Sequence, residues 1–180
     1  MHLPRRAPYL AALLIAALPL VAPAARAAER GDDSQRKSKN GRTEGTVAGV
    51  QVRLDYGRPA VQGRAIFGAL VPYGKVWRTG ADEATTITFG RDVAIEGQRL
   101  AAGTYALFTI PGADEWTVIF NRTAQQWGAF KYQEAEDALR VKVKPGTTEA
   151  VEQLDFVLDG DRVVLRWEKV AVGFRVAPAS

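Results

Sequence analysis

One short segment concentrates the side chains that could do chemistry. The stretch VPYGKVWRTGADEATTITF, residues 71–89, places two aromatic rings, two cations and two carboxylates within a few positions, namely Tyr73, Lys75, Trp77, Arg78, Asp82 and Glu83. Aromatic faces beside a few convergent charged groups are typical of a pocket that binds a small ligand or a glycan. The same groups also suit a structural contact that closes one end of a fold, so both interpretations stay open.

The sequence lacks the side chains on which most catalytic and metal sites depend. There is no cysteine, the single histidine is His2, and the serines are Ser34, Ser38 and Ser180. These absences exclude a Ser–His or Cys–His nucleophile and a zinc, haem or iron–sulfur site with histidine or thiolate ligands. We therefore predict no catalytic residue, no metal and no cofactor.

Carboxylates are the groups that remain for an enzyme. A hydrolase acting on a glycan would need two of them across a cleft, and Asp82 or Glu83 together with Asp55 is the candidate pair. This hydrolase is one alternative to a function without catalysis.

The first 27 residues have the layout of a secretory signal peptide. Arg5 and Arg6 precede an apolar run, and residues 25–27, Ala-Arg-Ala, form a small-x-small cleavage pattern. The run is interrupted by prolines and is too short for a comfortable membrane span, which needs about 20 apolar residues. We expect export to the periplasm or beyond, with no stable membrane span after cleavage.

Residues 28–44 carry no large apolar side chain, which predicts a disordered polar leader. The formal net charge of +4 arises in the signal and the leader, whereas residues 45–180 are neutral by count. Because a nucleic-acid-binding domain is expected to be basic, this neutrality argues against a nucleic acid as partner.

Residues 45–180 are expected to form a single antiparallel β-sandwich, either jelly-roll-like or barrel-like. Alternating apolar and polar residues recur in short runs such as VQVRLDY and ALRVKVK, and Glu96-Gly97, Pro111-Gly112 and Asp159-Gly160 are turn signals between such runs. The inward positions predict a core of Val52, Leu54, Ile87, Phe89, Leu107, Val118, Phe120, Val141, Leu154, Phe156, Leu165 and Trp167.

Residues 57–83 interrupt the alternating pattern with an irregular stretch. A loop of this length is uncommon in a compact domain unless it is functional or packed by its own side chains. A second irregular stretch is NRTAQQWGAFKYQE, residues 121–134. If both meet at one end of the sandwich, they form a concave mouth, and the candidate ligand-binding residues are Arg58, Arg64, Tyr73, Trp77, Arg78, Asp82, Glu83, Trp127 and Tyr132.

The structural interpretation uses many of the same residues. In it, Phe67, Leu70 and Trp77 close one end of the sandwich, and a carboxylate such as that of Glu83 holds Arg78 in a fork-like pair.

Several long motifs occur in a fixed order: LDYGRPAVQGRAIFGALVPYGKVWRTGADEATTITF, LAAGTYALFTIPG, EWTVIFN and QWGAFKY. Together they closely resemble the family of exported bacterial proteins called domain of unknown function 2911, from about Val47 to Val143. The resemblance implies export, but it implies no activity. It also implies that one unit is formed by Arg58, Pro59, Gly63, Arg64, Tyr73, Gly74, Trp77, Arg78, Thr79, Gly80 and Glu83. The family pattern commonly has an amide where this chain has Asp82, which counts against a catalytic role for that carboxylate.

These observations favour a non-enzymatic bacterial binding module whose partner is a small molecule, a glycan or an envelope protein. The alternatives are the carboxylate-dependent glycan hydrolase and a purely structural envelope protein that binds a partner chain through its strand edges or a flat face.

Overall fold

The computed structural model of the protein describes residues 30–179, and the predicted signal peptide lies outside them. The described chain consists of strands joined by turns and loops, with a single 3-10 turn at Glu134–Glu136. The strands are β1 Lys39–Val47, β2 Val50–Arg58, β3 Thr85–Phe89, β4 Val93–Ile95, β5 Gln98–Leu100, β6 Gly103–Ile110, β7 Trp116–Asn121, β8 Asp137–Val143, β9 Gly146–Asp159 and β10 Arg162–Pro178. Within residues 30–179 no helix is long and apolar enough to cross a membrane.

The strands form two antiparallel sheets. Six strands lie in the order β1-β2-β3-β6-β7-β8, and four lie in the order β5-β4-β10-β9. Aromatic contacts join the sheets across one core, with Tyr56 4.9 Å from Phe156 and Phe120 5.4 Å from Phe174 between ring centroids. The predicted all-β class is confirmed, and the sheets stay open rather than closing into a barrel.

The turn signals connect strands as predicted. Glu96-Gly97 joins β4 to β5 with both residues at positive φ, 47° and 80°. This is the conformation of a two-residue hairpin turn whose twist matches that of the strands. Pro111-Gly112 begins the loop between β6 and β7, and Asp159-Gly160 lies at the hairpin between β9 and β10. All twelve predicted core residues are buried.

The disordered leader predicted through residue 44 is wrong for residues 39–44, because they belong to β1. This strand pairs with β2 along its whole length, from Lys39 opposite Arg58 to Val47 opposite Val50. Only Val47 of β1 is fully buried. Backbone hydrogen bonding to β2, rather than burial of side chains, therefore makes this polar segment a strand at the edge of the sheet.

Candidate functional site

The long loop between β2 and β3, residues 59–84, is held against both sheets. Ala60 forms an antiparallel bridge with Gln153 of β9, and Trp77 forms one with Thr109 of β6. The Trp77 N–H donates to the Thr109 carbonyl at 2.8 Å, and the Thr109 N–H donates back at 2.9 Å. The loop thus spans the end of the space between the sheets, which fixes the side chains that it carries.

Four aromatic rings pack together at this end of the core, and two of them belong to the loop itself. Trp77 and Trp167 stack with centroids 5.9 Å apart and planes inclined by 17°. Phe67 contacts Trp116 edge to face at 5.0 Å. Phe67 and Trp77 therefore close the end of the core, as the structural interpretation predicted. Leu70 does not, because 47% of it is exposed.

A cavity of about 430 Å³ lies at this end of the sandwich. We call it the basic cavity, because Asp82 is the one acidic residue among the described residues that line it. Trp77 and Trp167 form part of its lining, together with apolar residues of the β2–β3 loop. The cations that line it are Lys37, Arg64, Lys75 and Arg78.

Two residues of this lining each have an N–H group that is buried without an acceptor among residues 30–179: Arg78 at Nε and Trp167 at Nε1. Trp167 is 1% exposed. A buried donor that lacks a partner costs about 1–3 kcal/mol, and native proteins rarely tolerate one. Burial also lowers the pKa of Arg78, while the nearby charge of Asp82 opposes that shift. Since arginine stays protonated in proteins, this cavity keeps a partly buried cation in its wall.

Glu83 does not hold Arg78, contrary to the pairing predicted in the structural interpretation. Its carboxylate is bound from the N-terminal segment, residues 30–38. Arg36 Nη2 lies 2.6 Å from Glu83 Oε1, Arg36 Nη1 contacts Oε2, and Arg30 Nη2 lies 3.0 Å from Oε2. The hydrogen bonds from Arg36 are the main cause that lowers the pKa of Glu83.

Arg30 also binds backbone atoms of the loop. Its Nη2 donates to the Ala81 carbonyl at 2.7 Å and its Nη1 to the Glu83 carbonyl at 3.1 Å. Its Nε donates to Asn40 Oδ1 at 2.9 Å. Residues that were expected to be disordered therefore fasten the β2–β3 loop in place.

The two irregular stretches meet at a second cavity, whereas the basic cavity is lined by residues of the first stretch and by none of the second. Glu83 forms an antiparallel bridge with Trp127, and the Gly128 N–H donates to the Asp82 carbonyl at 2.9 Å. Glu83, Gln126 and Trp127 line a second cavity of about 240 Å³, which shares no lining residue with the basic cavity. In that second cavity Gln126 Oε1 is buried without a donor among the described residues.

The nine candidate residues therefore separate into three groups. Arg64, Trp77, Arg78 and Asp82 line the basic cavity, and Glu83 and Trp127 line the second cavity. The others line neither of these cavities: Arg58, Tyr73 and Tyr132.

Each residue of the third group has a different environment. Arg58 Nε donates to the Leu154 carbonyl at 3.3 Å, and Tyr73 is 46% exposed. The Tyr132 hydroxyl donates to Asp137 Oδ2 at 2.6 Å, and burial together with this carboxylate raises the pKa of Tyr132 to about 12. A hydroxyl with so high a pKa stays protonated near neutral pH.

Three residues of the basic cavity lie outside the irregular stretch 57–83, and sequence reasoning did not place them at the site. Lys37 and Ser38 lie in the polar segment ahead of β1, where no apolar pattern marks them as part of the fold. Trp167 was predicted only as a core residue, because alternation along β10 shows that it is buried but not that it stacks on Trp77.

The proposed carboxylate pair is not assembled in either cavity. Asp55 lies on β2, where its Oδ1 accepts from Arg42 Nε at 2.7 Å and its Oδ2 from Arg53 Nε at 2.8 Å. Both oxygens of Glu83 are likewise bound by arginine. Among residues 30–179 no group of three or more acidic, histidine or cysteine side chains is placed to hold a metal ion.

These features define an all-β protein of two open sheets with a cation-lined cavity at one end. The chain belongs to the family described as protein of unknown function (DUF2911), which it matches over residues 38–176. This match extends beyond the stretch that carries the sequence motifs and includes β1 and most of β10. No curated protein and no solved structure matches the chain.

Proposed function

We propose that the protein is an exported, non-enzymatic binding module that holds a small ligand in the basic cavity. The observation that carries this proposal is that two residues lining one cavity, Arg78 and Trp167, each have a buried N–H donor without an acceptor among residues 30–179. A ligand that supplies the acceptors would remove the unfavourable free energy of leaving both donors unpaired. The signal-peptide pattern of the first 27 residues supports export to the periplasm or the exterior.

The dimensions of the basic cavity support the same proposal. Its volume of about 430 Å³ falls in the range of roughly 300–1,000 Å³ that is typical of ligand pockets. Its lining combines stacked indole rings with a few polar groups, which is the usual composition of such pockets. Because the bridge between Trp77 and Thr109 and the stacking on Trp167 hold the rings in place, a ligand meets a preformed surface.

The absence of catalysis in this proposal rests on the chemistry of the side chains. Asp82 is the acidic residue of the basic cavity, whereas a glycan hydrolase of the usual kind needs two carboxyl groups facing one substrate. Asp55 and Glu83 are occupied by arginines, so neither is available as its partner. Binding without turnover is the function that these groups support best.

A thermal unfolding screen tests the proposal. The wild-type protein is heated with sugars, soluble glycan fragments, amino acids and small organic acids in turn. A ligand at a hundred times its Kd stabilises the folded state by about 2.7 kcal/mol, which raises the Tm of a domain of this size by roughly 5 °C or more. We expect at least one compound to produce such a rise.

Two variants locate the binding. Arg78→Met removes a donor of a cavity-lining residue, and Lys144→Gln removes an exposed cation just after β8 as a matched control. We expect Arg78→Met to stay folded and to lose the rise in Tm, while Lys144→Gln retains it. The proposal fails if no compound raises the Tm, or if Arg78→Met responds to every hit as the wild type does.

A further inference from the structure

We infer that the ligand of the basic cavity is a small organic anion, one that carries a carboxylate or phosphate group on an apolar or planar body. This inference rests on the proposed function and adds the chemical class of the ligand.

Among residues 30–179, the two buried polar atoms without a partner in the residues that line this cavity are both donors. Arg78 Nε and Trp167 Nε1 can only donate, and the described side chains that line this cavity include no buried acceptor without a partner. A ligand must therefore present acceptor atoms to them. The oxygens of an anion are the strongest such acceptors, because a charge-assisted hydrogen bond is roughly twice as strong as a neutral one.

The charges around these donors favour a negative ligand. Four cations line the cavity, and its single carboxylate, Asp82, lies 3.8 Å from Arg36 Nη1, so its charge is partly compensated from outside the cavity. Lys37 and Lys75 are exposed. Like charges that surround one concave surface reinforce each other there and raise the local concentration of the opposite ion.

Arg64 adds an oriented cation to this wall. Its Nε donates to the Val61 carbonyl at 3.0 Å, and its Nη2 donates to the Ala60 carbonyl. The guanidinium is thereby held by backbone groups of the β2–β3 loop, and its positive charge is not neutralised by a carboxylate in these contacts.

The remaining lining explains why the anion should be organic. Leu70, Val71, Pro72 and Val76 contribute apolar surface, and the rings of Trp77 and Trp167 contribute aromatic surface. An inorganic anion would leave this surface in contact with water, whereas an organic body would bury it and gain about 25 cal/mol for each Å² covered.

The second cavity provides an internal comparison. Its unsatisfied group is an acceptor, Gln126 Oε1, whose own amide nitrogen donates to the Thr123 carbonyl at 2.7 Å. Its charged lining residues are one arginine, Arg30, and one glutamate, Glu83. The basic cavity thus favours a negatively charged hydrogen-bond acceptor, whereas the second cavity does not. An anion should therefore bind in the basic cavity.

The indole N–H resonances of the four tryptophans show which cavity a ligand enters. The ¹⁵N-labelled protein is titrated with glucuronate against glucose, with benzoate against benzyl alcohol, and with inorganic phosphate. We expect glucuronate or benzoate to shift the Trp167 Nε1–H resonance, because this proton gains an anionic acceptor. The Trp127 resonance, which belongs to the second cavity, should stay in place, as should every resonance with glucose or benzyl alcohol.

Two variants remove the two donors one at a time, and a third variant is the control. Arg78→Met should weaken binding of the effective organic anion by roughly 10- to 100-fold, since it removes one charge-assisted hydrogen bond. Trp167→Phe keeps the ring and removes its N–H, and it should weaken binding by about 10-fold. Lys144→Gln should bind as the wild type does. If Trp167→Phe does not fold, the wild-type titration and Arg78→Met still decide the question.

The possible failures are distinct. If glucose or benzyl alcohol shifts Trp167 as strongly as its charged counterpart, the class of ligand is wrong and the binding function stands. If inorganic phosphate binds as tightly as glucuronate and benzoate, the inference that the ligand has an organic body is wrong. If no probe shifts Trp167, the anion inference is overturned, and the neutral compounds of the thermal screen decide the proposed function separately.

Discussion

Arg36 holds Glu83 in a two-pronged ion pair across 47 positions of the chain, with Nη2 2.6 Å from Oε1 and Nη1 in contact with Oε2. The same guanidinium lies above the ring of Trp127, 5.9 Å from its centroid. The segment ahead of β1 is thus joined to both irregular loops. It also contributes Lys37 to the basic cavity and Arg30 to the second one.

Removing the charge of Glu83 should destabilise the fold. Glu83→Gln leaves the largely buried Arg30 without its carboxylate partner and leaves Arg36 with Asp82 at 3.8 Å, so we expect the free energy of unfolding to fall by about 1.5–3 kcal/mol. Urea titration measures this loss. Arg99→Gln is the matched control, because Arg99 pairs with Asp92 at an exposed site where such a pair contributes about 0–1 kcal/mol. Equal losses in the two variants would contradict a structural role for the Glu83 pair.

The same carboxylate predicts a dependence of stability on pH. Hydrogen bonds from Arg36 hold the pKa of Glu83 below its ordinary value in the folded protein. A group of this kind contributes stability above its unfolded pKa, about 4.3 for glutamate, and loses it as the pH falls through the folded pKa. The difference in unfolding free energy between the wild type and Glu83→Gln should therefore be constant near neutral pH and shrink below about pH 4.3. Urea titrations across that range measure it, and a difference that does not change with pH would refute the assignment.

The strands and the core were predictable because their signals are local. Alternation along β2 places Val52 and Leu54 on one face whatever lies opposite them, and Glu96-Gly97 sets a hairpin turn through its own backbone. Strand β1 carries no such pattern. Its sequence, KNGRTEGTV, is polar, and it is a strand because β2 offers a free edge for backbone hydrogen bonds.

The site was only partly predictable because its essential contacts are distant in sequence. The sequence predicts that Arg78 pairs with Glu83, five positions away, whereas the partners of Glu83 in the structure come from the N-terminal segment. Trp167 lies 90 positions after Trp77, and nothing in either local pattern indicates that the two indoles stack. The sequence therefore indicates the loop residues of the basic cavity but not Trp167, which also lines it.

Gly57 on β2 allows the loop to pack closely against the sheet. A Cβ at this position would lie 2.3 Å from the carbonyl oxygen of Ala81, the same oxygen that accepts from Arg30. Gly57→Ala must displace this backbone, and we expect a loss of about 1–3 kcal/mol in the free energy of unfolding. Gly146→Ala is the control, because its Cβ would meet nothing closer than 3.8 Å and should change stability by no more than about 0.5 kcal/mol. If Gly57→Ala is as stable as Gly146→Ala by urea titration, the close approach of the loop is not required.

A substitution of Arg78 distinguishes the ligand-binding interpretation from the structural one, because the two predict opposite effects on the stability of the fold. If Arg78 closed the fold, Arg78→Met would break a favourable interaction and lower the free energy of unfolding. In the ligand site, Nε is a buried donor without a partner among residues 30–179, and methionine keeps much of the apolar stem while removing that donor. We therefore expect the ligand-free variant to be as stable as the wild type, or more stable by up to about 1–3 kcal/mol.

Urea titration of the ligand-free proteins measures this difference, with Lys144→Gln as the neutral control. The same Arg78→Met sample should lose the rise in Tm that a ligand gives to the wild type. A group that is unfavourable in the empty protein and necessary for binding is a binding group, because only the bound state satisfies its hydrogen bond. A drop in stability of more than about 1 kcal/mol in Arg78→Met would instead assign the residue to the closing of the fold.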